Sequence, residues 1–395
     1  MLSAMGQADW QTEEVSALRQ ALRAFLASEV TPGLEQWEKD RRVPRDFWLA
    51  MGRQGYLCPW VDPALGGAGA DFAMSVVVCE ELGRTGHMGL QTGVSVHADI
   101  TAPYIDQYAT AVNRERWLAG CASGEMVAAI AMTEPGVGSD LAAVATTAVR
   151  DGDQWVINGQ KTFISNGMEC DLVVVVARTA AGDDEGPDQA TGAGGLSLFV
   201  VEGGAAGFVK SRQLEKMGQH CQDTAELFFE DCRVPADNLL GERGQGFAYL
   251  MKNLQRERLM IAVAAQVAAE QALAKTLPYV RERRAFGKSI GSFQHNAFKL
   301  VERATEIEIG RTFIDSLIDE FIAGDDITRR VSMAKWWLSD MACRVADDCV
   351  QLHGGYGYMA EYPISRDYMD VRAMPIYAGS NEVMKLILAR MMDLE

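Results

Sequence analysis

The chain has 395 residues, of which 48% are hydrophobic and 23% charged, so it can bury a large core and divide into two or three domains. Its formal net charge of −17 argues against nucleic acid or an anionic membrane surface as the main partner. Eight cysteines without a CxxC pair and five scattered histidines indicate free thiols, a reducing compartment and no bound metal. Without a visible signal peptide or membrane-spanning apolar run, we expect a soluble, cytoplasmic protein with no stable membrane association.

The first part of the chain shows helical periodicity. Val15, Leu18 and Leu22 recur at helical spacing after Thr12, which is a plausible cap. Further amphipathic stretches lie at residues 47–57, 74–82 and 98–110. We therefore predict an all-helical N-terminal domain over residues 1–123.

The pattern changes to short β-rich runs in the middle of the chain. These runs lie at residues 155–157, 173–176, 196–201 and 227–229, and glycine and asparagine pairs separate several of them. They predict an antiparallel β domain over residues 124–240. Within it, the segment 179–195 is rich in glycine, alanine and acidic residues, which indicates a solvated loop.

Long helices return in the last part of the chain. Helical patterns near residues 245–277, 293–323 and 327–352, and a final one over 380–391, are typical of a helical bundle. We predict a C-terminal bundle domain over residues 241–395. The fold class is therefore α+β and multidomain, with a β domain between two helical domains.

A carboxylate lies where the helical pattern predicts an apolar side chain. Leu250, Leu254 and Ile261 form one apolar stripe, Glu257 falls on that stripe, and Arg258 lies one step round the helix. An unpaired charge buried there costs several kcal/mol, so such residues are normally paired or functional. This helix alone leaves two interpretations open, a structural ion pair and a catalytic base.

Other motifs offer polar groups in loops, although no standard nucleotide-binding loop is present. The loop at 133–140 holds two glycines and a proline, and 163–167 ends a predicted strand with an aromatic residue and a hydroxyl. Three cations lie at 283–288, and glycine loops follow at 351–357 and 377–382. Taken singly, each is explained equally well by an ordinary turn or helix cap.

In this order the motifs resemble the acyl-CoA dehydrogenase family over about residues 12–392. The resemblance implies a helical domain, a β-barrel-like domain and a four-helix bundle. It also implies bound FAD, an acyl-CoA substrate, an electron-transfer flavoprotein as partner, and a homotetramer built as a dimer of dimers.

The resemblance assigns site residues one by one. It places Ser165 near the reacting flavin nitrogen, and Arg283 against the FAD of a neighbouring subunit. The residues assigned to FAD are Ile130, Met132, Thr133, Gly138, Ser139, Phe163, Ile164, Ser165, Arg283, Phe286, Gln294, Gln351, Gly354, Gly355, Ser380 and Glu382. The residues assigned to the substrate are Ser139, Gln255, Arg258, Ala378 and Gly379.

The position of the base divides the family. Most members carry a glutamate where this chain has Ala378, whereas long-chain and isovaleryl-CoA dehydrogenases place it on the bundle helix in a Glu-Arg-Leu context. Glu257, Arg258 and Leu259 match that context. The resemblance therefore implies that Glu257 is the base in oxidation of a fatty acyl-CoA to trans-2-enoyl-CoA, with a long or branched acyl group favoured over a short one.

Two alternatives remain at this point. One is an oxygen-using acyl-CoA oxidase or flavin monooxygenase of the same fold, although the chain lacks the large C-terminal extension of an oxidase. The other is a non-catalytic family member that only holds a ligand, although the presence of Glu257 and Arg283 argues against it.

Overall fold

The computed structural model describes residues 8–179 and 193–394, and most of the predicted loop at 179–195 lies outside them. The N-terminal part is helical, as predicted. Thr12 caps the first helix by accepting a hydrogen bond from the Val15 N–H at 3.2 Å. A π-helical turn, Val96–Thr101, joins the fifth and sixth helices, which places an irregular segment inside the predicted helix at 98–110. The α-helices are α1 Glu13–Phe25, α2 Leu34–Asp40, α3 Arg45–Arg53, α4 Phe72–Arg84, α5 Met88–Ser95, α6 Ala102–Tyr108 and α7 Ala111–Ser123.

Among the described residues, the middle part forms one eight-stranded sheet. Its strands are β1 Ala128–Ala131, β2 Thr147–Asp151, β3 Gln154–Ser165, β4 Leu172–Arg178, β5 Leu196–Glu202, β6 Phe208–Gln213, β7 Thr224–Pro235 and β8 Leu239–Leu240. Their order in the sheet is β6-β7-β3-β2-β4-β5-β8, and β1 pairs with β4. Most pairs are antiparallel, but β1 runs parallel to β4, and β2 also meets β4 in parallel at one position. The sheet is thus mixed rather than wholly antiparallel.

Strand β4 is buried on both faces, which explains its unbroken run of valines. Because side chains alternate along a strand, its residues divide between two apolar clusters. Leu172, Val174 and Val176 pack against the α6 and α7 side, whereas Val173 and Val175 pack inside the sheet with Phe199. The central sheet is therefore anchored on the N-terminal helices.

The C-terminal part is built on long helices: α8 Gly246–Glu282, α9 Gln294–Ile322, α10 Thr328–His353, α11 Pro363–Val371 and α12 Asn381–Met391. They agree with the predicted helices to within a few residues, except that α8 continues to Glu282. A two-stranded hairpin, β9 Arg284–Ala285 and β10 Lys288–Ser289, follows α8. Its turn residues Phe286 and Gly287 have φ of 50° and 82°, the left-handed values that a tight hairpin requires.

Helix α8 packs against both the N-terminal helices and the other helices of the C-terminal bundle. One apolar core contains Val76 and Leu82 of α4, Val263 of α8 and Leu338 of α10. A residue on the inner face of α8 therefore lies where the N-terminal helices meet the bundle. Across residues 8–179 and 193–394, no helix is long and apolar enough to cross a membrane.

Candidate active site

Glu257 lies inside the protein on the apolar face of α8, where the sequence pattern predicts it. Its exposed fraction is 3%, similar to that of Leu254 and Ile261 on the same stripe, and Arg258 is also buried. Leaving a carboxylate in such surroundings without a cation is costly. The partners of Glu257 therefore decide what the residue does.

The hydroxyl of Tyr104 on α6 donates a hydrogen bond to Glu257 Oε1 at 2.7 Å. No ion pair joins Glu257 to Arg258 in the described part of the chain, because adjacent residues of a helix point in different directions. Burial raises the pKa of Glu257 from 4.5 to about 7, and the Tyr104 hydrogen bond and the Arg258 charge offset only part of that rise. A carboxyl of this kind can accept a proton near neutral pH, as a general base must.

The loop at Ala378 and Gly379 approaches α8 at the next residue. Ala378 and Gly379 have φ of 52° and 88°, and a β-carbon built on Gly379 would lie 3.8 Å from Arg258 Nη2. The Ala378 N–H donates no hydrogen bond to any residue that the structure describes. Arg258 and the 378–379 loop are thus brought together, and the Ala378 N–H has no hydrogen-bond partner among the described residues.

Lys335 of α10 holds this loop, a role that the sequence motifs did not predict. Its ammonium group donates to the Gly379 carbonyl at 2.7 Å and to Asn381 Oδ1 at 3.1 Å. The side chain is fully buried, and burial lowers the pKa of Lys335 to about 8. Its position on the apolar face of α10, between Val331 and Leu338, is the signal that could have identified it.

The loop at 133–140 is a tight, exposed turn between β1 and β2. Glu134 and Val137 exchange two backbone hydrogen bonds of 2.9 and 3.0 Å, and Gly136 and Gly138 face open space. Ser139 is exposed and Thr133 is half-buried. The loop therefore presents backbone groups and hydroxyls to a ligand.

A buried ion pair supports this loop, and the sequence motifs did not predict it. Lys161 Nζ lies 2.8 Å from Glu134 Oε1 and 3.0 Å from the Met132 carbonyl. Glu134 also accepts hydrogen bonds from the backbone N–H groups of Ala145 and Thr146. A lysine at a buried position of a strand was the available signal.

The residues predicted to cover the flavin lie beside the same loop. The Thr162 N–H donates to the Thr133 carbonyl at 2.9 Å, which joins β3 to the loop. Phe163 has φ of 61° and is 68% exposed, so the backbone turns its ring outward. Ile164 packs into the sheet core, whereas Ser165 is half-buried, as are Ile130 and Met132.

A separate group of predicted residues lines a cavity of about 800 Å³ at the end of α10. Arg283, Gln351, Gly354 and Gly355 all border it. Its walls combine a guanidinium, an amide and glycine backbone, which suits an anionic or polar ligand.

Five predicted residues lie elsewhere. Phe286 is 95% exposed at the hairpin tip, and Gln294 is exposed at the start of α9. Ser380 caps α12 by accepting from the Val383 N–H at 3.4 Å, and Glu382 is exposed beside it. Gln255 accepts a hydrogen bond from the Ile327 N–H at 3.2 Å, so its amide oxygen is engaged within the protein. Their roles stay predictions.

Three domain families match successive parts of the chain. They are acyl-CoA dehydrogenase N-terminal domain over residues 12–125, middle domain over 129–232 and C-terminal domain over 244–392. The rat mitochondrial long-chain specific acyl-CoA dehydrogenase is 45% identical over 379 residues, which cover 96% of this chain and 86% of the relative.

The chain belongs to the acyl-CoA dehydrogenase family. Among solved structures, an acyl-CoA dehydrogenase from Geobacillus kaustophilus is 52% identical, with a TM-score of 0.94 over 98% of this chain and all of that one. A glutaryl-CoA dehydrogenase from Mycobacterium smegmatis, solved in complex with FADH2, is 25% identical, with a TM-score of 0.88 over 98% and 96% of the two chains. The predicted family and three-part fold are confirmed.

This acyl-CoA dehydrogenase is a flavin-dependent oxidoreductase whose cofactor is FAD. The residues present fit that cofactor. The exposed ring of Phe163 would offer an apolar surface to the flavin, and the 133–140 loop would offer it backbone groups and hydroxyls. Arg283 in the α10 cavity offers a cation to a diphosphate.

Proposed function

We propose that this acyl-CoA dehydrogenase oxidises fatty acyl-CoA thioesters to trans-2-enoyl-CoA, with Glu257 as the base that removes the α-proton. The observation that carries the proposal is the pair of positions 257 and 378. Glu257 is buried, has a pKa raised by burial to about 7 and lacks an ion-pair partner among the described residues, whereas Ala378 has no side chain that takes a proton.

The loop at residue 378 supplies the second requirement of the chemistry. A thioester α-proton is too weakly acidic to be lost to a carboxylate in water, so the developing enolate oxygen needs hydrogen-bond donors. The Ala378 N–H makes no hydrogen bond to a described residue, and Lys335 holds the neighbouring Gly379 carbonyl. FAD, when bound, supplies the acceptor for the hydride that leaves the β-carbon.

We also propose a homotetramer built as a dimer of dimers, in which Arg283 contacts the FAD of a neighbouring subunit. Helix α9 supports this proposal, since apolar Phe298, Val301 and Ile309 are exposed along it. Exposed apolar side chains on one long helix indicate an assembly surface. Phe286 in the hairpin before α9 is a further exposed apolar side chain.

By family resemblance, the acyl group is long or branched and the electron acceptor is an electron-transfer flavoprotein. The identity to the rat long-chain specific enzyme supports the acyl preference. Anaerobic flavin bleaching with straight and branched acyl-CoAs of several lengths tests it. Oxygen consumption that matches the turnover rate would point to an oxidase instead.

Glu257→Gln tests the assignment of the base. The variant should bind FAD and acyl-CoA as the wild type does but lose flavin bleaching by about 10²–10⁴-fold, the usual effect of a positioned base. Bleaching at the wild-type rate would rule Glu257 out. A wild-type protein that binds no FAD would favour the non-catalytic alternative. So would a wild-type protein that binds FAD but whose flavin is bleached by none of the acyl-CoAs.

Moving the base is a sharper test. The double variant Glu257→Gly with Ala378→Glu places the carboxylate where most relatives carry it. Position 378 already holds a β-carbon at φ of 52°, so glutamate adds little backbone strain there. Bleaching should partly return, because base catalysis depends on reach and alignment rather than on the helix that carries the group.

A further inference from the structure

Two adjacent residues of α8 are tied to one short segment of the N-terminal domain. Glu257 accepts the Tyr104 hydroxyl at 2.7 Å, and Arg256 pairs with Asp99 at 3.1 Å. Asp99 lies in the π-helical turn Val96–Thr101, and Tyr104 lies in α6 directly after it. The segment 99–104 therefore contacts α8 at two successive positions.

Both contacts are rigid. Tyr104 is fully buried in the apolar cluster that contains Ile105 and Trp117, so close packing restrains its ring. The guanidinium of Arg256 packs over the rings of Trp60 at 5.0 Å and Phe72 at 5.2 Å. A donor held in this way fixes the direction of its acceptor.

The hydrogen bond distinguishes the two oxygens of Glu257. Oε1 receives the Tyr104 hydroxyl, whereas no described residue donates to Oε2. An oxygen that already accepts a strong hydrogen bond is the weaker proton acceptor of the two. The geometry therefore makes the two oxygens of one carboxylate unequal.

We propose that Tyr104 is a positioning residue for the base: its hydroxyl holds Glu257 Oε1 and leaves Oε2 to take the α-proton. This inference rests on the proposed function of Glu257. Tyr104 acts through Glu257 rather than on the substrate, so its removal changes how the base is aimed and when it ionises.

The pH dependence follows from the charged and titratable groups around Glu257. The groups that shift the pKa of Glu257 are Tyr104 on α6 and Arg258 on α8. The cations Arg256 and Lys335 of the neighbouring packing are held instead by Asp99 and by the Gly379 carbonyl. A phenol that donates to a carboxylate stabilises the charged form and lowers its pKa. Without the Tyr104 hydroxyl the carboxyl should therefore need a higher pH to ionise.

Tyr104→Phe tests the inference, and Tyr108→Phe is its matched control. Tyr108 lies one turn further along α6, where its ring stacks on Tyr249 and its hydroxyl makes no contact with Glu257. The measured quantity is the rate of flavin reduction divided by the substrate Kd, determined at pH values from 5 to 9. In Tyr104→Phe the acidic limb should move up by about one to two pH units, the equivalent of one hydrogen bond to a charged group.

Two further readouts separate positioning from a general structural effect. On the alkaline plateau fitted to each pH profile, where Glu257 is ionised in both proteins, flavin reduction in Tyr104→Phe should still be slower by about tenfold, because the carboxylate is no longer aimed. Acyl-CoA Kd and FAD content should stay within roughly twofold of wild type, because a residue that acts only through Glu257 contributes little to binding. Tyr108→Phe should leave the acidic limb where it is.

The outcomes are distinguishable. If Glu257→Gln abolishes bleaching but Tyr104→Phe keeps the acidic limb of wild type, only the Tyr104 inference is wrong. If Glu257→Gln bleaches normally, the base assignment fails first. Should Tyr104→Phe not fold, 3,5-difluorotyrosine at position 104, a stronger donor, should move the limb down, and an unchanged limb would overturn the inference.

Discussion

Replacing Glu257 by glutamine should stabilise the protein at pH 8 and change its stability much less at pH 5. The carboxyl is buried, and burial raises its pKa from 4.5 to about 7. Between these two values the folded state binds more protons than the unfolded state, so stability falls as the pH rises through this window. Glutamine stays neutral and can still accept the Tyr104 hydrogen bond.

The magnitude follows from the two pKa values. Each pH unit between them corresponds to about 1.4 kcal/mol, so ionising Glu257 in the folded state costs about 3 kcal/mol in all. Part of that cost is already present at pH 5, where an unfolded glutamate is mostly ionised. From pH 5 to pH 8 the variant should therefore gain about 2–3 kcal/mol over wild type.

Thermal unfolding at pH 5, 6, 7 and 8 measures this difference. For a chain of this length, 2–3 kcal/mol corresponds to about 3 °C in Tm. Other buried acids, such as Asp370, whose pKa is raised by burial to about 7, are common to both proteins and cancel in the comparison. Glu115→Gln removes the same charge from an exposed position of α7 and should show no such pH trend.

The sign of the effect is the decisive result. A Tm difference that is the same at pH 5 and pH 8 would refute the argument that Glu257 ionises against its surroundings. A variant that loses stability at pH 8 would mean that the carboxylate is a stabilising partner of Arg258, since breaking a buried ion pair is costly. The experiment therefore distinguishes a buried carboxyl whose ionisation destabilises the fold from one that forms a stabilising ion pair, and it does so without measuring catalysis.

Three further predictions concern the supports of the site. Lys335→Met should slow flavin reduction by about 10–100-fold with normal FAD content, because the Gly379 carbonyl loses a charged donor; an unchanged rate would contradict this. Lys161→Met should lower FAD content and Tm, because it leaves the buried Glu134 without its cation. Adding Glu134→Gln should restore part of both, whereas additive losses would argue against coupling between Lys161 and Glu134. Arg283→Ala should loosen FAD and weaken assembly together in size-exclusion chromatography, and a monomer with full FAD occupancy would contradict a shared site.

Local patterns were enough to predict the order of the three parts and most helices. Hydrophobic periodicity is a property of neighbouring residues, so α9 and α10 could be placed to within a few residues. The same periodicity predicted the burial of Glu257, because a residue on an apolar stripe is carried inward with it. The parallel pairing of β1 with β4 was not visible, because register between strands 44 residues apart leaves no local signal.

The partners of the buried polar groups were decided only by the tertiary structure. Tyr104 and Glu257 are separated by 153 residues, and Lys335 and Gly379 by 44. The sequence by itself determined that Glu257, if buried, needs a partner or a function, since desolvating a charge is costly wherever it occurs. Packing of α6 and α10 against α8 and the 378–379 loop decided that the partner of Glu257 is a neutral hydroxyl, while the lysine holds a backbone carbonyl. That choice leaves the carboxyl titrating near neutral pH, because a hydroxyl offsets less of the burial cost than a cation would.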